Sequence, residues 1–219
     1  MKHLCLIEDF ASVDFMSCGD HLHFKLFQPN LTFWCFFPPR PLISAPLPPP
    51  SVRVLMVADS MFRPVSSLVW PRPFAVKVVC LSGKKLREIF MQLFYFLSLS
   101  HYDICLFHGG VNDVSKSGDE FEAGLRDACS FASAGFPSLF PHGTVFCSSV
   151  CQTRSTDLND KVRQANTMLR SFSTENDWRY ISHDNIRFSD LSDTVHLNAA
   201  GVAKLYRHIT SALRSFLSR

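Results

Sequence analysis

The chain reads as an α/β protein, a three-layer α/β/α sandwich around a parallel, five-stranded, flavodoxin-like sheet. Three observations predict this. Short apolar runs rich in β-branched residues alternate with longer stretches of helical spacing. The runs lack a polar face, as strands covered on both sides do. Elements alternating at this length pair in parallel through right-handed crossovers.

Residues 1–50 stand apart as an N-terminal extension and linker without a settled structure. Pro38, Pro39, Pro41, Pro46, Pro48, Pro49 and Pro50 break any regular element, because proline lacks the N–H and restricts its predecessor. The run Leu31 to Phe37 is apolar without a helical or strand period. A plain spacer is the first reading of the proline tract. A polyproline segment offered to a protein partner is the second.

The domain proper occupies residues 51–219, roughly 170 residues and ample for one core. Val52 to Val57 forms the first strand, and similar runs recur at Phe74 to Leu81, Ile104 to Phe107 and Thr144 to Val150. A short fifth strand lies near Trp178 to Ser182. Between them, apolar stripes mark helix faces: Leu86, Ile89, Phe90, Leu93 and Leu97; Phe121, Leu125, Ala128 and Ala132; Leu158, Val162, Ala165, Leu169 and Phe172. A terminal helix carries Val202, Leu205, Ile209, Leu213 and Phe216. Asp157 and Asn198, both favoured N-cap types, stand just before two of these stripes.

Four short blocks fall at the ends of these elements: Ala58-Asp59-Ser60, Ser82-Gly83, Gly110-Val111-Asn112-Asp113 and Asp193-Thr194-Val195-His196. In a parallel sheet they converge at the strands' carboxyl ends, where open α/β sheets bind ligands. Their chemistry suits ester hydrolysis. A serine hydroxyl needs an imidazole to take its proton, and the imidazole needs a carboxylate to fix its tautomer. Ser60, His196 and Asp193 supply these parts. Asn112 offers an amide to an oxyanion, and Gly83 lets its N–H approach without a Cβ.

Taken singly, each block has an ordinary reading. Asp-Ser after a strand is commonly a turn or helix cap, Gly-Val-Asn-Asp a turn, and His196 a surface histidine. Order and spacing favour the joint reading.

Together the blocks resemble the SGNH (GDSL-type) hydrolases, whose motifs run Gly-Asp-Ser, a glycine block, Gly-x-Asn-Asp and Asp-x-x-His. The likeness spans roughly Val52 to Arg219, and extends to the stretches Val54 to Val65, Phe107 to Ser115 and Asp193 to Leu205. Similar stretches occur in esterase-like domains of some animal retroelements. The resemblance implies a serine esterase with Ser60 as nucleophile, His196 as base and Asp193 orienting it. It implies an oxyanion hole from Ser60, Gly83 and Asn112. Two positions depart from the pattern: Ala58 stands for a glycine, which would crowd a turn needing positive φ, and Leu197 for a proline, which would loosen the entry to the last helix.

For the pocket, Phe62 and Val114 are expected as apolar walls, and Arg154 as a contact to an anionic group. The expected substrate is a small ester, with no cofactor and no metal. A second class of function fits the same residues: an inactive binding or assembly module on this fold, motivated by Ala58 and the N-terminal extension. A flavodoxin-like cofactor binder fits less well, since no glycine-rich phosphate loop follows the first strand.

Net charge is only +3, from 22 basic and 19 acidic residues, so nothing calls for nucleic acid. Cys80, Cys105 and Cys147 lie in apolar strands, and no Cys-x-x-Cys pair or zinc-ligand spacing appears. Reduced thiols follow as the expectation. Met1 to Ile7 starts like a signal peptide, but Glu8 and Asp9 interrupt it early. The longest apolar stretch, Ile89 to Leu99, is too short to span a bilayer. An intracellular protein is therefore expected ahead of a secreted one.

Overall fold

The computed structural model describes residues 12–18, 21–28, 31–34, 51–115 and 120–218. The chain divides into two compact units, Met1–Leu47 and Pro48–Arg219.

In the first unit, β1 (Ser12–Cys18), β2 (His21–Gln28) and β3 (Leu31–Trp34) form an antiparallel sheet in the order β1-β2-β3. Phe15 stands opposite Phe24 and Leu26 opposite Phe33. Sequence periodicity assigns this region no element, so the sheet is a correction to that expectation. The proline tract of residues 38–50 and the stretch Met1 to Asp9 lie outside the described residues.

The second unit is the predicted α/β/α sandwich. Its strands are β4 (Val52–Ala58), β5 (Phe74–Cys80), β6 (Ile104–His108), β7 (Thr144–Ser148) and β8 (Arg179–Ile181). All pair in parallel in the order β5-β4-β6-β7-β8. The helices are α1 (Leu86–Leu99), the single turn α2 (Val111–Val114), α3 (Glu120–Leu139), α4 (Thr156–Glu175) and α5 (Ala199–Leu217). A 3₁₀ segment, Ser60–Ser67, follows β4 directly.

Strand alternation divides the core in two. Leu55, Val57, Cys105, Phe107, Val145 and Cys147 point to the layer of α1, α3 and α4. Val54, Met56, Ala58, Ile104, Leu106 and Phe146 point to the layer of α5 and the 3₁₀ segment. Apolar residues on both faces of every central strand therefore follow from helices on both sides.

The helix stripes act as their spacing predicts. In α1, Leu86, Ile89, Phe90, Leu93, Phe94 and Leu97 are all buried, each contributing about 1.5–3 kcal/mol of transfer free energy. The exposed Lys84–Glu88 ion pair at the same helix start, 3.0 Å long, adds at most about 0.5 kcal/mol. Burial, not charge pairing, holds α1 to the sheet.

At α4 the cap differs from expectation. Ser155, not Asp157, is the N-cap, with Oγ accepting from Leu158 N at 3.4 Å. Asn198 does cap α5, its Oδ1 accepting from Gly201 N at 3.1 Å. The described cysteines Cys80, Cys105, Cys129, Cys147 and Cys151 are free thiols. Among the described residues, no helix is long and apolar enough to cross a membrane.

Candidate active site

The β5-β4-β6 order places a topological switch between β4 and β6, where a doubly wound sheet opens a crevice at its carboxyl edge. Ser60 follows β4, and the Gly110 to Asp113 block follows β6.

Ala58 ends β4 as an ordinary strand residue, paired with Cys80 on one side and His108 on the other. Asp177 is the one described non-glycine residue with positive φ. The expected crowding at Ala58 is thus absent, because the bend comes one residue later. There Asp59 N donates to His108 O, and Asp59 Oδ1 accepts from Met61 N at 3.0 Å, capping the 3₁₀ segment. Ser60 follows this capped turn.

His196 sits on a tight loop between the 3₁₀ turn Phe188–Asp190 and α5. Leu191 and Leu197 pair as an antiparallel bridge, with Ser192 N donating to His196 O and Asn198 N to Asp190 O. Leu197, in the position of the family's proline, is buried against the α5 layer. The entry to α5 is held by this bridge and by the Asn198 cap. Behind the loop, Lys204 reaches the buried Asp190 carboxylate at 2.7 Å.

The structure brings Ser60, His196 and Asp193 together. Ser60 Oγ lies 3.2 Å from His196 Nε2, and His196 Nδ1 lies 2.8 Å from Asp193 Oδ2. Asp193 Oδ1 accepts from the backbone N–H groups of His196, at 2.8 Å, and Val195, at 2.9 Å. These two N–H groups, and then the His196 ring, hold the Asp193 carboxyl down to about 2. The His196 and Asp193 side chains are 46% and 57% exposed, so the array faces solvent.

The second and third blocks interlock. Gly83 has φ +71° and Gly110 φ +113°, both left-handed values that favour glycine. A Cβ on Gly110 would also stand 3.0 Å from Val150 Cγ2. Asn112 Nδ2 donates to Lys84 O at 2.9 Å, and Asp113 Oδ2 accepts from Leu86 N at 3.0 Å. The Asn112 amide carries a second N–H beyond the one given to Lys84.

The expected pocket residues fare differently. Phe62 and Val114 are fully buried and belong to the two cores. The 3₁₀ segment turns Phe62 inward, against the His108 ring at 4.6 Å, and α2 does the same for Val114. Neither is a pocket wall. Arg154 holds the histidine loop: its N–H donates to Thr194 O at 2.8 Å and its guanidinium to Leu191 O at 2.7 Å, above the Phe188 ring. An apolar hollow of about 540 Å³ opens beside that loop, lined by Pro64, Leu68, Val69, Leu197, Val202 and Tyr206 among others.

Sequence reasoning missed a buried polar group that begins at Asp59, next to Ser60, and comprises Asp59, His108, Ser148 and His183.

No protein-family model matches the chain. No curated protein matches it either. Solved structures do match the fold. A lipolytic protein of the G-D-S-L family from Veillonella parvula aligns at a TM-score of 0.59 and 14% identity, over 74% of this chain and 98% of that one. An acetyl xylan esterase from Geobacillus stearothermophilus aligns at 0.56 and 14%, over 73% and 93%. A GDSL-like lipase from Bacteroides thetaiotaomicron aligns at 0.55 and 13%, over 75% and 88%. The second unit therefore has the SGNH hydrolase fold seen in these lipases and esterases.

Proposed function

We propose that the protein is a serine esterase that cleaves a small carboxylic ester through Ser60, His196 and Asp193. The observation that carries this reading is the continuous contact from Ser60 Oγ to His196 Nε2 to Asp193 Oδ2, at 3.2 and 2.8 Å. The structural neighbours are themselves esterases and lipases, which agrees with the reading.

With Nδ1–H directed to Asp193, Nε2 of His196 is left as the base facing the serine hydroxyl. Ser60 Oγ attacks the ester carbonyl carbon while its proton passes to Nε2. The tetrahedral oxyanion is received by the N–H groups of Ser60 and Gly83 and by the free Asn112 N–H. Collapse breaks the bond to the alcohol oxygen, which takes the proton from Nε2. Water, deprotonated by the same nitrogen, then releases the acid and restores Ser60. Loss of one oxyanion donor typically costs roughly 10²–10³ in rate.

The test is the intact mass of the chain after exposure to a small fluorophosphonate, with Ser60→Ala alongside. A single adduct that disappears in the variant is the expected result. A folded protein that takes no adduct would overturn the reading and turn attention to a binding or assembly role.

A further inference from the structure

Behind the nucleophile, buried polar groups lie on one line. Asp59 and His108 are fully buried. Asp59 Oδ2 and His108 Nε2 are the two buried side-chain polar atoms, among the described residues, that lack a hydrogen-bond partner. Asp59 Oδ1 and His108 Nε2 are 3.9 Å apart. On its other side, His108 Nδ1 lies 2.9 Å from Ser148 Oγ, which lies 2.7 Å from His183 Nε2. His183 Nδ1 then lies 2.9 Å from Nδ1 of His208 on α5, with the two rings stacked 5.2 Å apart. His208 is partly exposed. The line thus runs from the residue preceding Ser60 to the protein surface.

A neutral imidazole carries one N–H and a hydroxyl one O–H, so a continuous chain of donors can run through these groups in two opposite directions. Burial pulls His108 and His183 below the usual histidine range, and His208 is lowered by burial and by Arg207 and Lys204. These surroundings favour the neutral form of all three rings. In one direction His208 Nδ1–H donates to His183 Nδ1, His183 Nε2–H to Ser148 Oγ, and Ser148 O–H to His108 Nδ1. His108 Nε2–H then faces the Asp59 carboxylate. In the other direction His108 Nε2 presents a lone pair to that carboxylate, and two buried acceptors oppose each other. Repulsion between a buried lone pair and a buried carboxylate is a cost that an N–H pointing the same way avoids, even at 3.9 Å. The cost selects the first direction.

We propose that His108, Ser148, His183 and His208 form one directional hydrogen-bond relay, oriented by the charge of Asp59, whose carboxylate faces His108 Nε2 at 3.9 Å. In it the charge of the carboxylate beside Ser60, which Met61 N holds in place, fixes the tautomer of every imidazole out to the surface. Asp59 and His108 are then positioning residues for the Ser60 turn, since Asp59 Oδ1 also caps Met61 N. Ser148 is the hinge of the relay, the member that reverses by rotating its hydroxyl and not by changing tautomer.

Nitrogen-15 NMR of the histidine rings tests this in the intact chain. The wild type should show Nε2–H on His108 and His183 and Nδ1–H on His208. In Asp59→Asn, Oδ1 still caps Met61, but the negative charge that favours Nε2–H on His108 is removed. Both directions should then be populated along the relay, with His208 moving toward Nε2–H. A folded Asp59→Asn protein in which His208 keeps its wild-type tautomer overturns the relay, as does Nδ1–H on His108 in the wild type. If Asp59→Asn does not fold, Ser148→Ala serves instead. It should free His183 and His208 to populate both tautomers while His108 keeps Nε2–H, and an unchanged His208 would overturn the proposal. The readout needs no turnover: a wild type that shows this tautomer set but takes no fluorophosphonate would sink the esterase reading and leave the relay standing.

Discussion

The carboxylate of Asp113 accepts the N–H of Leu86 at 3.0 Å, joining the turn after β6 to the first turn of α1. Leu86 is the first residue of α1, whose orphan N–H groups need acceptors. Asn112 grips the same loop through Lys84 O. Two adjacent side chains of one block thus fix the backbone that follows Gly83.

This coupling makes Asp113 a structural member of the site. Asp113→Ala leaves a helix N–H without its partner and should cost about 1–2 kcal/mol. Urea unfolding measures the loss directly. Fluorophosphonate labelling of Ser60 should also slow, because the Gly83 loop is no longer anchored. An unchanged midpoint would mean that water replaces the carboxylate at no cost.

Asp193 should stay ionised in acid. Its folded value, about 2, lies below the ordinary 3.8 of a free aspartate. The sign follows directly: the interaction is fully present above 3.8 and is lost as pH falls from there through about 2. Carbon-13 titration of the side chain should find the low midpoint. Asp193→Asn keeps an oxygen for the N–H groups of Val195 and His196 but presents a neutral partner to the imidazole. Turnover should drop by about 10²–10⁴-fold with little change in thermal stability.

Placing at position 58 the glycine of the SGNH pattern should bring no gain. Ala58 is a fully buried strand residue with negative φ, and its methyl packs in the α5 layer. Ala58→Gly removes that methyl and adds backbone freedom to the unfolded chain, so it should cost about 1–2 kcal/mol. Labelling rates with and without the substitution give the functional half of the test. A clear rise in rate would show that the turn at Asp59 is tighter than its hydrogen bonds indicate.

Much of this arrangement is legible in the sequence because local patterns and global order agree. Apolar strands without a polar face imply helices on both sides, and four blocks at element ends imply one sheet edge. Other features depend on pairings that no local pattern records. His108 and Ser148 are 40 residues apart, Ser148 and His183 35, His183 and His208 25. They meet because β6 and β7 place His108 beside Ser148 in register. Phe62 and Val114 escape a sequence reading for a related reason. Short 3₁₀ and α turns after the strands rotate them into the core, where loops would have left them at the rim. Ser155 and Asp157 are both good caps two residues apart, and propensity does not separate them. In the first unit, β2 does alternate, with His21, His23 and Lys25 interleaved with Leu22, Phe24 and Leu26. The prolines further along the chain obscure that pattern by making the whole extension resemble a linker.

Arg154 separates two accounts of the same residue. As an anion contact, it would matter only for charged substrates. In the structure, its guanidinium holds Leu191 O at 2.7 Å and lies 4.9 Å from the Phe188 ring. Its backbone N–H holds Thr194 O, between Asp193 and His196. Arg154→Ala keeps the backbone bond but loses a charged donor and a cation–π contact, together about 1–3 kcal/mol at a partly buried site. The loop that carries His196 should loosen, so under the proposed esterase mechanism kcat should fall about tenfold on neutral and anionic esters alike, with KM little changed. A rise in KM confined to anionic esters would restore the substrate-contact account. Lysine at this position keeps the charge without the planar fork and should recover little of the lost rate.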